Sequence, residues 1–371
     1  MQKDWLSLGL MSGTSGDGVD ASIIRSNGID KYELIKDKYF EYDSDIYKDI
    51  HNLKEKIHLS IHLKKFKNEL DNLERKITIF HAKVISELNV TGDTIVGFHG
   101  QTIYHNAREK ISKQLGNGKL LNQLTKKNII FNFRNNDILN EGQGAPLAPV
   151  FHHLLAIQNK IKLPVCFLNI GGISNITIIK NKTDLNELES KDIGPGNCLI
   201  DSWVRKNSNK KFDSDGKFAS IGTRNEIIYE QAQELYMYQK NKKLTYDTND
   251  FDISFMRGLS LEDGVTTLTD FTASILGEEL SLSLNSYKDK INDILICGGG
   301  RKNKVLLKKI KNNLSQNLNM KLIDDYKING DFIESQAFAF LAIRSVKKLP
   351  ISFPKTTGCK SPSTGGELIK N

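Results

Sequence analysis

Three apolar, strand-like segments of this chain each lead into a glycine-rich turn, and this feature limits the folds that the chain can adopt. The turns are residues 12–18, 171–172 and 298–300. Glycine has no Cβ, so backbone N–H groups in such turns can approach an anionic ligand closely. Glycines between a strand and a helix often serve packing alone. Three such turns in one chain favour a nucleotide that is contacted from two sides.

Short apolar runs alternate with helical stretches along most of the chain. The strand-like runs are residues 94–98, 129–131, 165–170, 176–179 and 294–297, and the helix-like stretches are 147–158, 199–206, 305–314 and 334–347. This alternation predicts an α/β fold. Residues 44–90 space apolar side chains three and four apart, which predicts one or two amphipathic helices. Residues 6–27 predict a β-hairpin, and the turns near residues 13 and 171 suggest a duplicated architecture.

Composition excludes several classes of function. The chain has 371 residues, 39% hydrophobic and 26% charged, which suits two domains or one large α/β unit. No run approaches the ~20 apolar residues that span a bilayer, and no secretory signal precedes the first strand, so we expect a cytoplasmic protein. The four cysteines are widely separated, which predicts reduced thiols. The net charge of +8 comes from lysines scattered among acidic residues, so we expect no nucleic-acid partner.

The first turn combines glycines with hydroxyl and carboxyl groups. Its candidate anion-binding residues are Gly13, Thr14, Ser15, Gly16, Asp17, Gly18, Val19 and Asp20. The Asp17 and Asp20 carboxylates are suited to hold Mg²⁺ through water rather than to touch phosphate. A plain hairpin turn is the alternative interpretation. The segment is not a P-loop, because no Gly-Lys-Ser/Thr follows at the expected spacing.

Asp192 begins the segment Asp192–Asn197, in which a proline and two glycines surround a turn. We expect such a turn to hold the Asp192 carboxylate rigidly, as a general base requires. The alternative is that Asp192 caps the helix predicted to begin near Cys198.

Polar side chains stand beside other tight turns, where they could bind sugar hydroxyls, an amide and a carboxylate. They are His99, Gln101, Arg134 and Gln143. A single histidine such as His99 is more often structural than ligand-binding.

Taken in order, these segments resemble the anhydro-N-acetylmuramic acid kinase family. The resemblance rests on residues 9–20, 99–102, 142–147, 169–176, 192–197, 297–303 and 330–339. It implies the two-domain α/β fold of the actin, sugar kinase and Hsp70 superfamily, with ATP in an interdomain cleft. Domain I would comprise residues 1–128 and 331–371, and domain II residues 129–330.

The resemblance also implies roles for the matching residues. Gly13–Asp20 resemble the family's ATP phosphate-binding loop, where Asp17 and Asp20 would hold Mg²⁺, and Asp192 matches the catalytic base. Further nucleotide contacts would be Gly171, Gly172, Gly298, Gly299, Gly300 and Asn303. Substrate contacts would be His99, Gln101, Arg134, Gln143, Asn175 and Glu334.

The implied activity is ATP-dependent phosphorylation of 1,6-anhydro-N-acetylmuramic acid, in cell-wall recycling and amino-sugar catabolism. Asp192 would deprotonate a water that opens the anhydro ring, and O6 would take the γ-phosphate, giving N-acetylmuramic acid 6-phosphate and ADP.

Gly16, Asn132 and Ile193 depart from the family pattern. We expect a small-molecule substrate and no membrane partner, and we leave a homodimer open.

Two alternatives compete with this interpretation. One is a kinase of the same superfamily with another acceptor, against which the segments 142–147 and 192–197 argue. The other is a non-catalytic ATP-dependent sensor or scaffold, which would be expected to lack the acidic residues Asp17, Asp20 and Asp192 that this chain retains.

Overall fold

The structure is a computed structural model that describes residues 3–90, 92–240, 246, 248–287, 291–315 and 318–371. Contacts divide the chain into two compact units: unit 1 comprises Met1–Lys162, Ile179–Ser190 and Asp331–Asn371, and unit 2 comprises Leu163–Ile178 and Lys191–Gly330. Residues 129–162 and 179–190, which the sequence analysis assigns to domain II, lie in unit 1. Met1 and Gln2, at the predicted start of domain I, lie outside the described residues.

Strands and helices alternate through much of the described chain. The strands are β1 (Trp5–Ser12), β2 (Gly18–Ser26), β3 (Tyr32–Glu41), β4 (Ile95–Asn106), β5 (Ile111–Leu115), β6 (Asn128–Phe131), β7 (Val165–Ile170), β8 (Ile173–Ile179), β9 (Glu189–Pro195), β10 (Asp293–Cys297), β11 (Asn319–Leu322) and β12 (Glu367–Ile369). The helices are α1 (Ser44–Lys56), α2 (Ser60–Lys65), α3 (Lys67–Leu88), α4 (Gly118–Thr125), α5 (Asn135–Leu139), α6 (Pro149–Gln158), α7 (Cys198–Asn207), α8 (Glu226–Lys240), α9 (Leu261–Leu284), α10 (Lys304–Asn312), α11 (Ile333–Val346) and α12 (Pro354–Thr357).

The sheet of unit 1 has the order β12-β6-β4-β1-β2-β3, and β5 pairs with β4. β1 and β2 are antiparallel, with Met11 opposite Asp20, so the predicted hairpin is confirmed. Leu8 and Leu10 point into the core, as the alternation in β1 requires. β4 pairs in parallel with both β1 and β6. β6 joins this sheet, and the residues from β6 to Lys162 lie in unit 1.

Helix α11 packs directly on the sheet of unit 1. A Cβ on Gly9 would collide with the Ser335 carbonyl, and a Cβ on Gly97 would collide with the Phe338 carbonyl. Only glycine permits such a close approach between a strand and a helix backbone. The first turn of α11, which carries Glu334, is therefore held against β1 and β2.

The sheet of unit 2 has the order β11-β10-β7-β8-β9. β10 pairs in parallel with β7 and with β11. Every residue of β7 is buried, as a central parallel strand requires. Helix α9 packs against the same core through residues that include Leu276 and Leu280, which lie with Leu168 and Ile294 in one apolar cluster.

The two sheets share one strand order. In unit 1 the order is β3-β2-β1-β4-β6, and in unit 2 it is β9-β8-β7-β10-β11. In each unit the third, second and first strands are neighbours, and the fourth strand lies beside the first. The predicted α/β fold and the suggested duplication are both confirmed.

Each predicted strand and helix is present, with ends that move by at most three residues, except that the strand predicted at 94–98 continues to Asn106. Residues 44–90 form three helices, α1, α2 and α3, rather than one or two. The sequence analysis did not predict β3 or the 24-residue helix α9. Since α9 is buried on most sides, it lacks the polar stripe by which an amphipathic helix is recognised.

Candidate active site

The phosphate loop, which we name for its predicted role, comprises residues 12–18 between β1 and β2 of unit 1. The Gly16 N–H donates to the Gly13 carbonyl at 3.1 Å and closes a tight turn. Gly16 has a φ of +63°, which favours glycine. A Cβ on Gly13 would have the Ser15 Oγ as its nearest neighbour, 3.9 Å away. The space beside Gly13 is therefore open.

Gln101, predicted to bind substrate, is fully buried on β4 and contacts this loop. Its Oε1 accepts a hydrogen bond from the Ser12 hydroxyl at 2.6 Å, and its Nε2 donates to the Gly13 carbonyl at 3.0 Å. The Tyr42 hydroxyl donates to Ser12 Oγ at 3.0 Å. Sugar binding by Gln101 stays a prediction, and its contacts in the structure are with the phosphate loop and its own strand.

Five carboxylates of unit 1 interact electrostatically beside the loop. Burial is the largest cause that raises the pKa of Asp20 to about 8, followed by repulsion from Glu334, Asp17, Asp331 and Asp37. A divalent cation would relieve this repulsion. Mg²⁺ prefers oxygen ligands and is commonly held by one or two carboxylates together with phosphates and water.

The donor set therefore fits Mg²⁺ held in part by the predicted residues Asp17 and Asp20. Among the residues that the structure describes, no group of three or more His, Cys, Asp or Glu forms a protein-only metal site. Phosphate and water oxygens would have to complete the coordination, and Mg²⁺ itself stays a prediction.

A buried network ties β2 and β3 to the start of α11. The Ser22 hydroxyl donates to Asp37 Oδ1 at 2.5 Å, and Gln336 Nε2 donates to Asp37 Oδ2 at 2.9 Å. Ser22 and Gln336 are fully buried. The network holds the helix turn that carries Glu334, a predicted substrate contact. The sequence analysis missed Asp37, which is one of three acidic residues in a largely exposed strand.

His99 and Arg134, both predicted substrate contacts, are hydrogen-bonded to each other. The Arg134 guanidinium donates to His99 Nε2 at 2.9 Å and to the Gly144 carbonyl at 2.7 Å. Burial and the Arg134 charge hold the pKa of His99 well below its usual value, so the imidazole is neutral and accepts this bond. His99 therefore orients Arg134, and direct sugar contacts by either residue stay predictions.

Asp137 anchors the segment 142–147, and the sequence analysis did not single it out. It is fully buried on α5, and its carboxylate accepts from the Gly144 N–H and from the Thr357 hydroxyl, each at 2.7 Å. A Cβ on Gly142 would collide with this carboxylate. The buried acid thus explains one of the glycines in the segment and fixes the carbonyl that holds Arg134.

Gln143, a predicted substrate contact, lies half-buried in this segment. Its backbone N–H donates to the Thr357 carbonyl at 2.8 Å, which fixes its backbone position. Substrate binding by its side chain stays a prediction.

In unit 2, the Gly171–Gly172 turn joins β7 to β8 and contacts the start of α7. The Gly196 N–H donates to the Gly172 carbonyl, and the Asn197 N–H donates to the Gly171 carbonyl, both at 2.8 Å. These bonds connect the first predicted nucleotide turn of unit 2 to the end of the segment that begins at Asp192. Asn175, a predicted substrate contact, is half-buried on β8.

The triple glycine follows β10 and packs on β7. A Cβ on Gly298 would lie 2.6 Å from the Ile170 carbonyl, and a Cβ on Gly300 would collide with the Ile170 side chain. A Cβ on Gly299 would have no neighbour nearer than 4.0 Å. Packing therefore explains Gly298 and Gly300, whereas Gly299 borders open space.

Asn303, predicted to contact the nucleotide, is the buried N-cap of α10. Its Oδ1 accepts the Leu306 N–H at 3.0 Å, which satisfies one of the free donors at the helix start. The structure thus gives Asn303 a helix-capping role, and nucleotide contact stays a prediction.

Asp192 lies on strand β9, which extends to Pro195, so most of the segment that was expected to form a proline-glycine turn is strand. Pairing of β9 with β8 holds the backbone that the prediction had assigned to a proline-glycine turn. The Asp192 carboxylate is half-buried and accepts the Tyr246 N–H at 3.3 Å. The N-cap of α7 is Asn197, so the alternative capping role of Asp192 is excluded.

Comparison with known proteins decides the family. The family model described as anhydro-N-acetylmuramic acid kinase matches residues 5–371. The chain belongs to this family. The anhydro-N-acetylmuramic acid kinase of Pelagibacter ubique is 56% identical over 375 residues and 100% of both chains. That of Zymomonas mobilis is 35% identical over 372 residues, which are 98% of this chain and 99% of the relative.

Among solved structures, the chain is similar to component A of the (R)-2-hydroxyglutaryl-CoA dehydratase of Acidaminococcus fermentans. The TM-score is 0.45 at 12% identity, over 92% of this chain and 99% of that one.

Membership of the anhydro-N-acetylmuramic acid kinase family confirms the predicted family and the prediction that the protein is a kinase. The four cysteines, which all lie within the described residues, form no disulfide. Within the described ranges, no helix has the length and hydropathy that a membrane span needs. The roles of individual site residues, the location and the assembly stay predictions.

Proposed function

We propose that the enzyme uses ATP to convert 1,6-anhydro-N-acetylmuramic acid and water into N-acetylmuramic acid 6-phosphate and ADP. The activity would return cell-wall fragments to amino-sugar metabolism. Support comes from membership of the family over residues 5–371, together with an open glycine loop beside two carboxylates. This loop is the observation that carries the phosphoryl-transfer half of the proposal.

The phosphate loop would bind the ATP phosphates through its backbone N–H groups and the hydroxyls of Thr14 and Ser15. Ser15 donates to the Asp17 carboxylate, which turns its hydroxyl toward the acidic side of the loop. Mg²⁺, when bound, would neutralise phosphate charge during transfer. Asp17 and Asp20 would hold it, since their repulsion falls when a cation is present.

Asp192 would take a proton from the water that attacks the anomeric carbon. The bond from that carbon to O6 breaks, O6 attacks the γ-phosphorus, and the bond to ADP breaks in turn. A rigid strand is a suitable support for a base, because its side chain must stay in line with the water. In unit 2, Gly171, Gly172 and Gly299 would contact the nucleotide through bare backbone.

Arg134 would bind the lactyl carboxylate of the sugar. A guanidinium suits a carboxylate because its donors form a planar fork. The Nε and one terminal nitrogen of Arg134 donate to His99 Nε2, and the other terminal nitrogen donates to the Gly144 carbonyl, so two neutral acceptors fix the group. Glu334 and Gln143 would contact other polar groups of the acceptor.

A coupled assay of ADP release tests the proposal. We expect turnover with 1,6-anhydro-N-acetylmuramic acid and little with free N-acetylmuramic acid or N-acetylglucosamine. Asp192→Asn should lower kcat by about 10²–10⁴-fold, because the base is lost, while ADP affinity stays unchanged. The matched control is Asp215→Asn, an exposed carboxylate of unit 2. Near-normal turnover of Asp192→Asn would rule out Asp192 as the base.

A further inference from the structure

Gln101 has no side-chain N–H donor left for a ligand. It is fully buried, and its Nε2 donates to the Gly13 carbonyl at 3.0 Å and to the Thr102 carbonyl at 3.3 Å. Its Oε1 accepts from the Ser12 hydroxyl at 2.6 Å. A side-chain amide has two N–H donors, and both are engaged by backbone. A sugar oxygen that accepts from Gln101 would have to break one of these buried bonds.

Ser12 links Gln101 to the other end of the phosphate loop. The Ser12 hydroxyl lies 2.6 Å from Gln101 Oε1 and 3.0 Å from the Gly18 carbonyl, within reach of both acceptors. Tyr42 donates its hydroxyl to Ser12 Oγ at 3.0 Å and its backbone N–H to the Asp17 carbonyl at 2.9 Å. The first and last residues of the loop thus share one buried network.

The network has a direct consequence for an anion. Carbonyl oxygens repel phosphate, whereas N–H groups attract it, so a phosphate loop must keep its carbonyls turned away from the ligand. Gln101 Nε2 engages the Gly13 carbonyl, and Lys54 Nζ engages the Thr14 carbonyl at 2.6 Å. A loop held in this way before ATP arrives does not have to be ordered during binding.

We propose that Gln101, together with Tyr42 and through Ser12, is a positioning residue for the phosphate loop and does not contact the sugar. The inference rests on the proposed binding of ATP at this loop. It reassigns Gln101 from the acceptor to the nucleotide, and it adds Tyr42, which no motif in the sequence pointed to.

Two variants test the inference. Gln101→Met keeps a side chain of similar length without the amide, and Tyr42→Phe removes a single hydroxyl. The matched control is Gln114→Met, which replaces a half-buried glutamine on β5, the strand paired with β4. The measurements are ADP affinity by calorimetry without sugar, and KM for ATP and for the anhydro sugar in separate titrations.

We expect Gln101→Met to weaken ADP binding and raise KM for ATP by about tenfold, as expected for two lost hydrogen bonds to the loop. Tyr42→Phe should do the same by about threefold. KM for the sugar should stay within about twofold for both variants, and Gln114→Met should change none of these values. A variant that is only less stable would not show a raised KM for ATP together with an unchanged KM for the sugar.

A raised KM for the sugar with unchanged ADP affinity would overturn the inference, and so would unchanged values throughout. If Gln101→Met does not fold, Tyr42→Phe decides the question, because it removes one oxygen atom only. If the wild type binds ADP but does not turn over the anhydro sugar, the proposed function fails. The ADP affinities of the variants still decide the role of Gln101 in that case.

Discussion

Asp20 is a residue whose charge state depends on its neighbours in space. Burial and four further carboxylates raise its pKa to about 8. Only Asp17 is near it in the sequence, and Asp331 and Glu334 come from the far end of the chain. The proton that Asp20 retains near neutral pH would have to leave when a cation binds.

The raised pKa predicts how stability changes with pH in the absence of divalent cations. An unfolded aspartate has a pKa near 3.8, so between about pH 4 and pH 8 the chain must take up a proton at Asp20 when it folds. This proton uptake lowers the free energy of unfolding. The loss in the free energy of unfolding is absent below about pH 4 and grows until about pH 8. Asp20→Asn should therefore have a larger free energy of unfolding than the wild type. The difference should be largest near pH 8, where it should reach a few kcal/mol. Urea unfolding in EDTA at several pH values measures this difference.

The control for this prediction is Asp4→Asn, which replaces an exposed carboxylate at the edge of β1. For that variant, we expect the difference in unfolding free energy from the wild type to be independent of pH. A constant gap between Asp20→Asn and the wild type from pH 4 to pH 8 would contradict the assigned cause.

Among the elements, the short helix α5 shows how one buried acid organises a segment. Asp137 accepts hydrogen bonds from the Gly144 N–H and from hydroxyls of Ser352 and Thr357, which belong to the C-terminal part of unit 1. Residues more than 200 positions apart are joined through this one carboxylate. The Gly144 carbonyl in turn holds Arg134.

Removal of this carboxylate should affect both stability and acceptor binding. Asp137→Ala leaves three buried donors without an acceptor, so we expect a loss of about 2–4 kcal/mol in the free energy of unfolding. KM for the sugar should rise more than KM for ATP, because the Gly144 carbonyl, which accepts a hydrogen bond from Arg134, would no longer be fixed by Asp137. The matched control on α5 is Asn135→Ala, an exposed position. Equal rises in both KM values would show that the segment does not serve the acceptor alone.

For the whole molecule, ligand binding adds to the stability of the fold. A ligand present at 100 times its Kd adds about 2.7 kcal/mol, so saturating ADP should raise Tm by several degrees. Gly13→Val should remove most of this rise, since the new side chain would occupy the open space where we place the phosphates. The Tm without ligand should change little, because a Cβ on Gly13 would meet no atom nearer than 3.9 Å beyond the neighbouring residues 12 and 14.

Gly92→Val is the matched control for this prediction, because a Cβ there would also meet open space and the residue lies outside the phosphate loop. It should retain the full shift in Tm with ADP. An equal shift for Gly13→Val would place the nucleotide elsewhere.

Much of the fold followed from local pattern. The β1–β2 hairpin, the all-buried β7 and helices α7, α10 and α11 were predicted because strands and helices repeat at different periods. The exposed edge strand β3 and the buried helix α9 were missed, since each lacks a contrast between two faces. A turn was expected within residues 192–197 because proline and glycine indicate turns, whereas pairing with β8 makes residues 192–195 part of a strand.

By itself, the sequence determined the hairpin, the alternation of strands and helices and the residues with reactive groups, because each of these depends on composition or short spacing. The resemblance of its motifs to a known family indicated the family. Tertiary structure decided what those residues touch. Gln101 and Ser12 are 89 positions apart, and His99 and Arg134 are 35 apart, yet each pair is hydrogen-bonded. Such bonds depend on strand order and burial, which local patterns do not contain.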